Sequence, residues 1–141
     1  MKNFLRSLVP TSVQVPVKYM INKWRSQLEA ELQLLPFLVK RGETVIDIGG
    51  NRGQYTYALW QLGSKVQVFE PNPVCSQILM AWASNKDSVT VHPVGLSDQP
   101  GEAVLHIPVD EFGNEHDASA SLGDGIAANT RDEKVLLSSL D

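Results

Sequence analysis

Two acidic residues and a cluster of glycines carry the chemistry that can be read from this chain. Asp47, Gly49 and Gly53 form a D-x-G-x-x-x-G pattern, with Gly50 and Asn51 inside it. The pattern lies between a β-branched run and a segment of helical character. Glu70 closes the next β-branched run, followed by Pro71 and Asn72. Gly49 and Gly50 let a backbone approach a ligand closely, and Gly53 permits tight helix–strand packing. A dinucleotide fingerprint, G-x-G-x-x-G, would place glycines at 48, 50 and 53, but position 48 is Ile.

Asp47 sharpens the choice of ligand. A carboxylate at a strand end repels a docked pyrophosphate. It attracts a cationic ligand by about 4 kcal/mol at about 4 Å and an effective dielectric of about 20. S-Adenosylmethionine carries an ammonium and a sulfonium, and its single carboxylate suits the positive start of a helix around residues 51–54. Glu70 can accept hydrogen bonds from the vicinal hydroxyls of a ribose, a device that nicotinamide dinucleotides share. Asp47 and Glu70 on adjacent strands together favour the methyl donor. Pro71 and Asn72 are placed to line an adenine, with Gly95 and Leu96 on its other side. The competing structural roles are plainer: a turn-stabilising carboxylate for Asp47, a solvated strand-end charge for Glu70, a helix cap for Asn51. Arg52 is read as a solvated first-turn residue.

These residues need a scaffold, and the hydrophobic pattern supplies one. Met20, Trp24, Leu28, Leu32 and Leu35 recur at helical spacing and predict an amphipathic helix over 17–35, with Trp24 in the core. Pro36 interrupts it, and Lys40-Arg41-Gly42 reads as the end of a short continuation. Residues 44–48 predict a buried parallel strand. The next helix buries Tyr55, Ala58, Leu59 and Leu62 and stops at Gly63; residues 65–69 form a second strand. Asn72 and Pro73 cap and open a third helix, buried through Ile78, Leu79 and Trp82. Residues 88–94 form a third strand.

This βαβαβ order predicts an α/β fold, a parallel sheet covered by flanking helices. Beyond it come a turn at 98–101, an alternating hairpin-like strand at 102–107, a long polar loop at 110–132 and a strand starting at 135. The chain divides into an N-terminal helical segment, 1–41, and the first part of a cofactor-binding domain, 42–141. An open sheet is expected to continue on the far side of its first strand, so the chain reads as truncated.

The run VIDIGGNRGQYT at 45–56 resembles the FkbM family of methyltransferases, as do FEPNP at 69–73 and VTVHPVGLSDQPGEAVLHI at 89–107. SASL at 119–122 and SLD at 139–141 sit where that family has similar residues. The resemblance spans roughly residue 31 to the end. It implies a Rossmann-like class I methyltransferase fold and methyl transfer from S-adenosylmethionine, usually to an oxygen. It also implies a small-molecule or glycan acceptor, such as a sugar or a polyketide-type hydroxyl. Family members continue past SLD into a strand with an Ile-Lys-x-Asp motif. The rival readings are a nicotinamide-dependent oxidoreductase and an inactive cofactor-binding fragment.

Composition narrows the field further. The 141 residues carry 12 basic and 16 acidic side chains, a net charge of −4. That balance argues against a nucleic-acid partner. The one cysteine, Cys75, excludes an internal disulfide and reads as a buried hydrophobe rather than a reactive thiolate. Apolar runs are too short to span a bilayer, so no stable membrane insertion is expected. Residues 1–10 have the charge of a signal-peptide start without its apolar run, and a cytoplasmic location follows as the default. Lys2, Arg6, Lys18, Lys23 and Arg25 make the first part of the chain basic. A solvated helix face is expected there in preference to contact with an anionic membrane. His92 reads as a packed or edge residue, His106 as solvated, and Glu115-His116-Asp117 as loop polarity rather than a metal or base site.

Overall fold

The structure, a computed structural model, describes residues 9–111, 113, 115–122 and 129–140. Expectations for Lys2 and Arg6, for part of the 110–132 loop and for Asp141 lie outside the described residues.

Three strands, β1 (Thr44–Ile48), β2 (Lys65–Phe69) and β3 (Val89–His92), form a parallel sheet in the order β1-β2-β3. The register pairs Ile48 with Phe69 and Phe69 with His92, so strand ends are level where the glycine turn begins. Side chains alternate across a strand, and Val66, Val68 and Val89 point to the helical side, where they are buried. Against them pack Leu59 of α3 (Gln54–Gln61) and Ile78, Leu79 and Trp82 of α4 (Pro73–Ala83). Burying each such side chain contributes about 1.5–3 kcal/mol. Tyr57 sits amid Tyr19, Trp60 and Trp82 with ring centroids 4.9, 5.6 and 5.8 Å away, and Trp60 meets Trp82 edge-on.

Asn72 accepts from the Val74 amide at 3.0 Å and Pro73 opens α4, as their order in the sequence predicts. The expected helix over 17–35 is overturned. α1 covers Gln14–Trp24, Ser26 takes a left-handed φ of 52°, and a 3₁₀ turn follows at Ala30–Gln33. A left-handed residue cannot continue a right-handed helix. Pro36 lies in the first turn of α2 (Leu35–Leu38) and so starts a helix instead of interrupting one. Met20 and Trp24 face outward, 63% and 84% exposed, so Trp24 is not a core residue. Val15 is buried in their place and joins the core of the parallel sheet, so the N-terminal segment packs as part of it.

Two further expectations change. Among the described residues, helices cover one face of the parallel sheet only. Its other face carries Ile46, Ile48, Phe69 and His92; Ile48 is 64% exposed, and Phe69 stacks on His92 at 4.5 Å. β1 is therefore not the doubly buried strand its composition suggests. Among the described residues the chain also does not extend this sheet beyond β3. Pro93 has no amide to donate, Val94 N–H turns back to the His92 carbonyl at 2.8 Å, and the ladder stops. A second sheet follows, built from β4 (Gly95–Leu96), β5 (Gly101–Pro108) and β6 (Thr130–Ser138) in the order β4-β6-β5. β6 runs antiparallel to β5 and parallel to β4 around Leu105, Ile107 and Val135. It begins at Thr130, five residues before the apolar run that marks it in the sequence.

Candidate functional site

The turn between β1 and α3 is left-handed at Gly49, Asn51 and Gly53, with φ of 76°, 48° and 81°. The amides of Gly49 and Gly50 donate to the Phe69 carbonyl at 2.8 and 3.3 Å, which folds the turn across the end of β2. Glu70 then fastens it. One carboxylate oxygen accepts from the Asn51 amide at 2.6 Å and the other from the Asn72 amide at 2.8 Å. Asp47 accepts from the Thr56 hydroxyl at 2.5 Å, and the Thr56 amide also stabilises its charge, so Asp47 braces the start of α3.

Both carboxyls are buried, Glu70 to 6% exposure. Burial raises the pKa of each above the ordinary carboxylate value, and these hydrogen bonds pull the other way. The charges of Asp117 and Asp47 raise Glu70 further.

Asp117 was not a site residue in the sequence analysis. Its Oδ2 takes Arg52 Nε at 2.7 Å and a second guanidinium nitrogen at 2.6 Å, and its Oδ1 accepts from Asn72 Nδ2 at 3.1 Å. One carboxylate of the 3₁₀ turn Asp117–Ser119 thus ties the glycine turn to the end of β2. Arg52, with its side chain 14% exposed, is not solvated as expected. Glu115, His116 and Asp117 go to three different partners: Arg131 at 2.7 Å, Asp110 at 3.5 Å and Arg52. Only their polarity marked them in the sequence, and Asp117 lies 65 residues from Arg52.

Asp47, Gly49, Gly50, Asn51, Gly53, Glu70, Pro71 and Asn72 are brought together as expected, but several take different parts. Asn51 does not cap α3: its amide goes to Glu70, and its side-chain oxygen faces Cys75 Sγ at 3.6 Å. Gly50 serves packing, since a Cβ there would lie 2.4 Å from Val68 Cγ1. Gly49 is the open position, where an added Cβ would meet nothing within 4 Å. Gly95 belongs to the second sheet and not to the edge of the first, yet a Cβ on it would lie 3.6 Å from Pro71 Cβ. Leu96 pairs with Ser138 on β6. Cys75 is fully buried and its thiol is pushed up to about 12, chiefly by burial, so it stays protonated. His106 is half-buried and bonded to the exposed Asp132 at 2.8 Å.

Comparison of the chain with family models, curated proteins and solved structures gives no match. The site is therefore judged on its own chemistry. The charges of Asp117 and Asp47 are felt at Glu70, and of these three carboxylates Asp117 is the one paired with the Arg52 guanidinium.

The Asp117 bridge is testable. Asp117→Ala leaves the Arg52 guanidinium and the Asn72 amide without their acceptor, and about 1–3 kcal/mol of stability should be lost in urea unfolding. Asp132→Ala, which removes the exposed partner of His106, should shift the urea midpoint far less, because water screens an exposed ion pair. Equal losses would mean that Asp117 is one more surface charge.

Proposed function

We propose that this chain carries the cofactor cradle of an S-adenosylmethionine-dependent methyltransferase acting on a hydroxyl of a sugar, glycan or polyketide-type acceptor. The observation that supports this most is the pair of buried carboxyls beside the open Gly49, Asp47 just inside the end of β1 and Glu70 just past the end of β2, its parallel neighbour. Burial without a neutralising cation disfavours ionised carboxyls, and a ligand bearing positive charge relieves that penalty. The donor set fits such a ligand better than it fits a pyrophosphate.

In this reading Glu70 keeps its two backbone contacts and offers its remaining lone pairs to the ribose hydroxyls. Asp47 faces the cationic part of the ligand. Of the amides at 51–54, Asn51 donates to Glu70 and Gly53 to the Gly50 carbonyl at 2.8 Å. Arg52 and Gln54 are then the ones to meet a ligand carboxylate. Pro71 and Gly95 form the adenine wall, and Asp117 fixes Arg52 and Asn72 at its rim. When bound, S-adenosylmethionine supplies a methyl group already activated on sulfonium sulfur. The chain's own part is alignment and exclusion of water. Deprotonation of the acceptor hydroxyl is not assigned to any residue.

Calorimetric titration of the purified chain with S-adenosylmethionine, S-adenosylhomocysteine and NAD tests the proposal. Micromolar binding of the first two and not of NAD supports it. NAD binding alone would favour an oxidoreductase, which Glu70 suits equally well. Binding of none would overturn the cradle.

A pH dependence follows with a fixed sign. Asp47 and Glu70 have folded pKa values above 3.8 and 4.5, so the folded chain holds protons that the unfolded chain has released in that window. Stability of the unliganded chain should fall as pH rises from those ordinary values through the raised ones. Affinity for the cationic ligand should rise over the same window as the carboxyls ionise. Titration at several pH values, in buffers of different ionisation enthalpy, should show proton release on binding. Affinity that is flat with pH would remove the two carboxylates from contact with the ligand's charge.

A further inference from the structure

Helix α1 presents an apolar stripe to solvent. Val17, Met20, Ile21 and Trp24 are all exposed, and so is Val13 just before the helix. At about 3.6 residues per turn these positions fall within roughly 100° of arc. The opposite side of the helix is the packed one: Val15 is buried in the core, Tyr19 meets Tyr57, and Asn22 donates to the Gln54 side chain at 3.0 Å. An amphipathic helix normally turns its apolar stripe inward. α1 instead has one face seated in the domain and a second, more apolar face pointing away from it.

Charge says what that second face suits. Lys23 lies on one flank of the stripe and Arg25 follows its end on the other. Residues 1–28 contain five basic and no acidic side chains, whereas residues 29–141 contain seven basic and sixteen acidic ones. The whole chain is acidic, yet the stretch of sequence holding this exposed apolar helix, which ends in tryptophan, carries no acidic residue. Exposed Phe37 and Leu38 on α2, followed by Lys40 and Arg41, repeat the combination. No helix among the described residues is long and apolar enough to cross a membrane. An apolar face rimmed by Lys and Arg with an interfacial Trp is the arrangement that lies flat in a lipid headgroup layer.

We propose that α1 docks the protein on an anionic lipid bilayer, with Val17, Met20, Ile21 and Trp24 entering the interface and Lys23 and Arg25 among the lipid headgroups. The acidic remainder of the chain is repelled by the same surface, which orients the molecule with α1 down. The inference is independent of the identity of the cofactor.

Co-sedimentation of the purified full chain with vesicles of phosphatidylcholine alone, and of phosphatidylcholine mixed with phosphatidylglycerol, tests it. Binding should be at least about tenfold tighter to the anionic vesicles and should weaken with salt. Trp24→Glu, and separately Lys23→Glu with Arg25→Glu, should each weaken it about tenfold or more, while circular dichroism stays unchanged because these side chains point away from the core. Vesicle binding should also shift tryptophan fluorescence to the blue, and Trp24→Phe should abolish that shift while keeping binding. Trp60 and Trp82 are already packed against each other and serve as the internal control. Absence of binding to anionic vesicles, equal binding to neutral ones, or variants that bind like the parent chain would each overturn the proposal. So would concentration-dependent self-association that Trp24→Glu abolishes, since the stripe would then cover a second copy.

Discussion

Gly53→Ala should destabilise the fold by about 2–5 kcal/mol in urea unfolding, the largest effect expected from adding a single methyl group. Two costs combine. Gly53 has a φ of 81°, and a side chain in that region costs about 1–2 kcal/mol. The new Cβ would also lie 2.8 Å from Val15 Cγ1 and 3.0 Å from Leu79 Cδ2, inside a packed core, where overpacking adds about 1–3 kcal/mol. Gly49→Ala separates the two costs. Its φ of 76° carries the same backbone strain, but its Cβ would meet open space. Gly49→Ala should therefore lose only about 1–2 kcal/mol of stability and show its main effect in cofactor affinity. Equal destabilisation by both would mean that contact with Val15 and Leu79 contributes nothing.

Glu70→Gln is the second large effect, on fold and ligand at once. The Glu70 carboxylate accepts from the amides of Asn51 and Asn72, one on each oxygen. A glutamine keeps one acceptor and turns an NH₂ toward the other amide, leaving two donors face to face in a buried place. Hydrogen bonds to charged acceptors contribute about 1.5–3 kcal/mol, and a loss near that size is expected in urea unfolding. Affinity for S-adenosylmethionine should fall tenfold or more, since the ribose loses a charged acceptor and the turn its anchor. Glu70→Asp, which keeps the charge, should lose stability but retain part of the affinity. Unchanged calorimetric affinity for Glu70→Gln would remove Glu70 from ribose recognition and leave it as a brace.

How much was legible depends on the range of the interaction that decides each feature. β1 and β2 were placed to the residue because short β-branched runs flanked by glycine, lysine and proline have one good local solution. Asn72 and Pro73 were placed because a helix start is settled within four residues. The 17–35 helix failed for a different reason. Its periodicity is real, but periodicity reports an apolar face and not what covers it. Nothing in Arg25-Ser26-Gln27 announces that Ser26 turns left-handed. Asp117 was out of reach because its value lies in two partners, Arg52 and Asn72, brought to it by the fold. Gly95 and Leu96 read as residues just past the third strand at the edge of the same sheet, but Pro93 ends the ladder and they join the second sheet. Gly49 and Gly50 read alike in the sequence, as places where backbone approaches a ligand, and only coordinates separate Gly50, which makes room for Val68, from Gly49, which faces open space.

The proposed cradle is also built from parts whose contacts span very different sequence separations. The first wall, from Asp47 to Asn72, belongs to a βαβ unit whose contacts are close in sequence. Gly95, on the far side of Pro71, is held by Leu137 of β6, and Ser97 by the Ser138 carbonyl at 2.9 Å. A two-residue strand has no standing of its own, so this wall waits until β6 has crossed back from the hairpin with β5. Contacts between distant positions form late because the intervening chain must first be closed into a loop. During refolding, helical circular dichroism should therefore return ahead of the capacity to bind nucleoside. For some interval the chain would look folded by its helices while the proposed adenine wall is still open on one side.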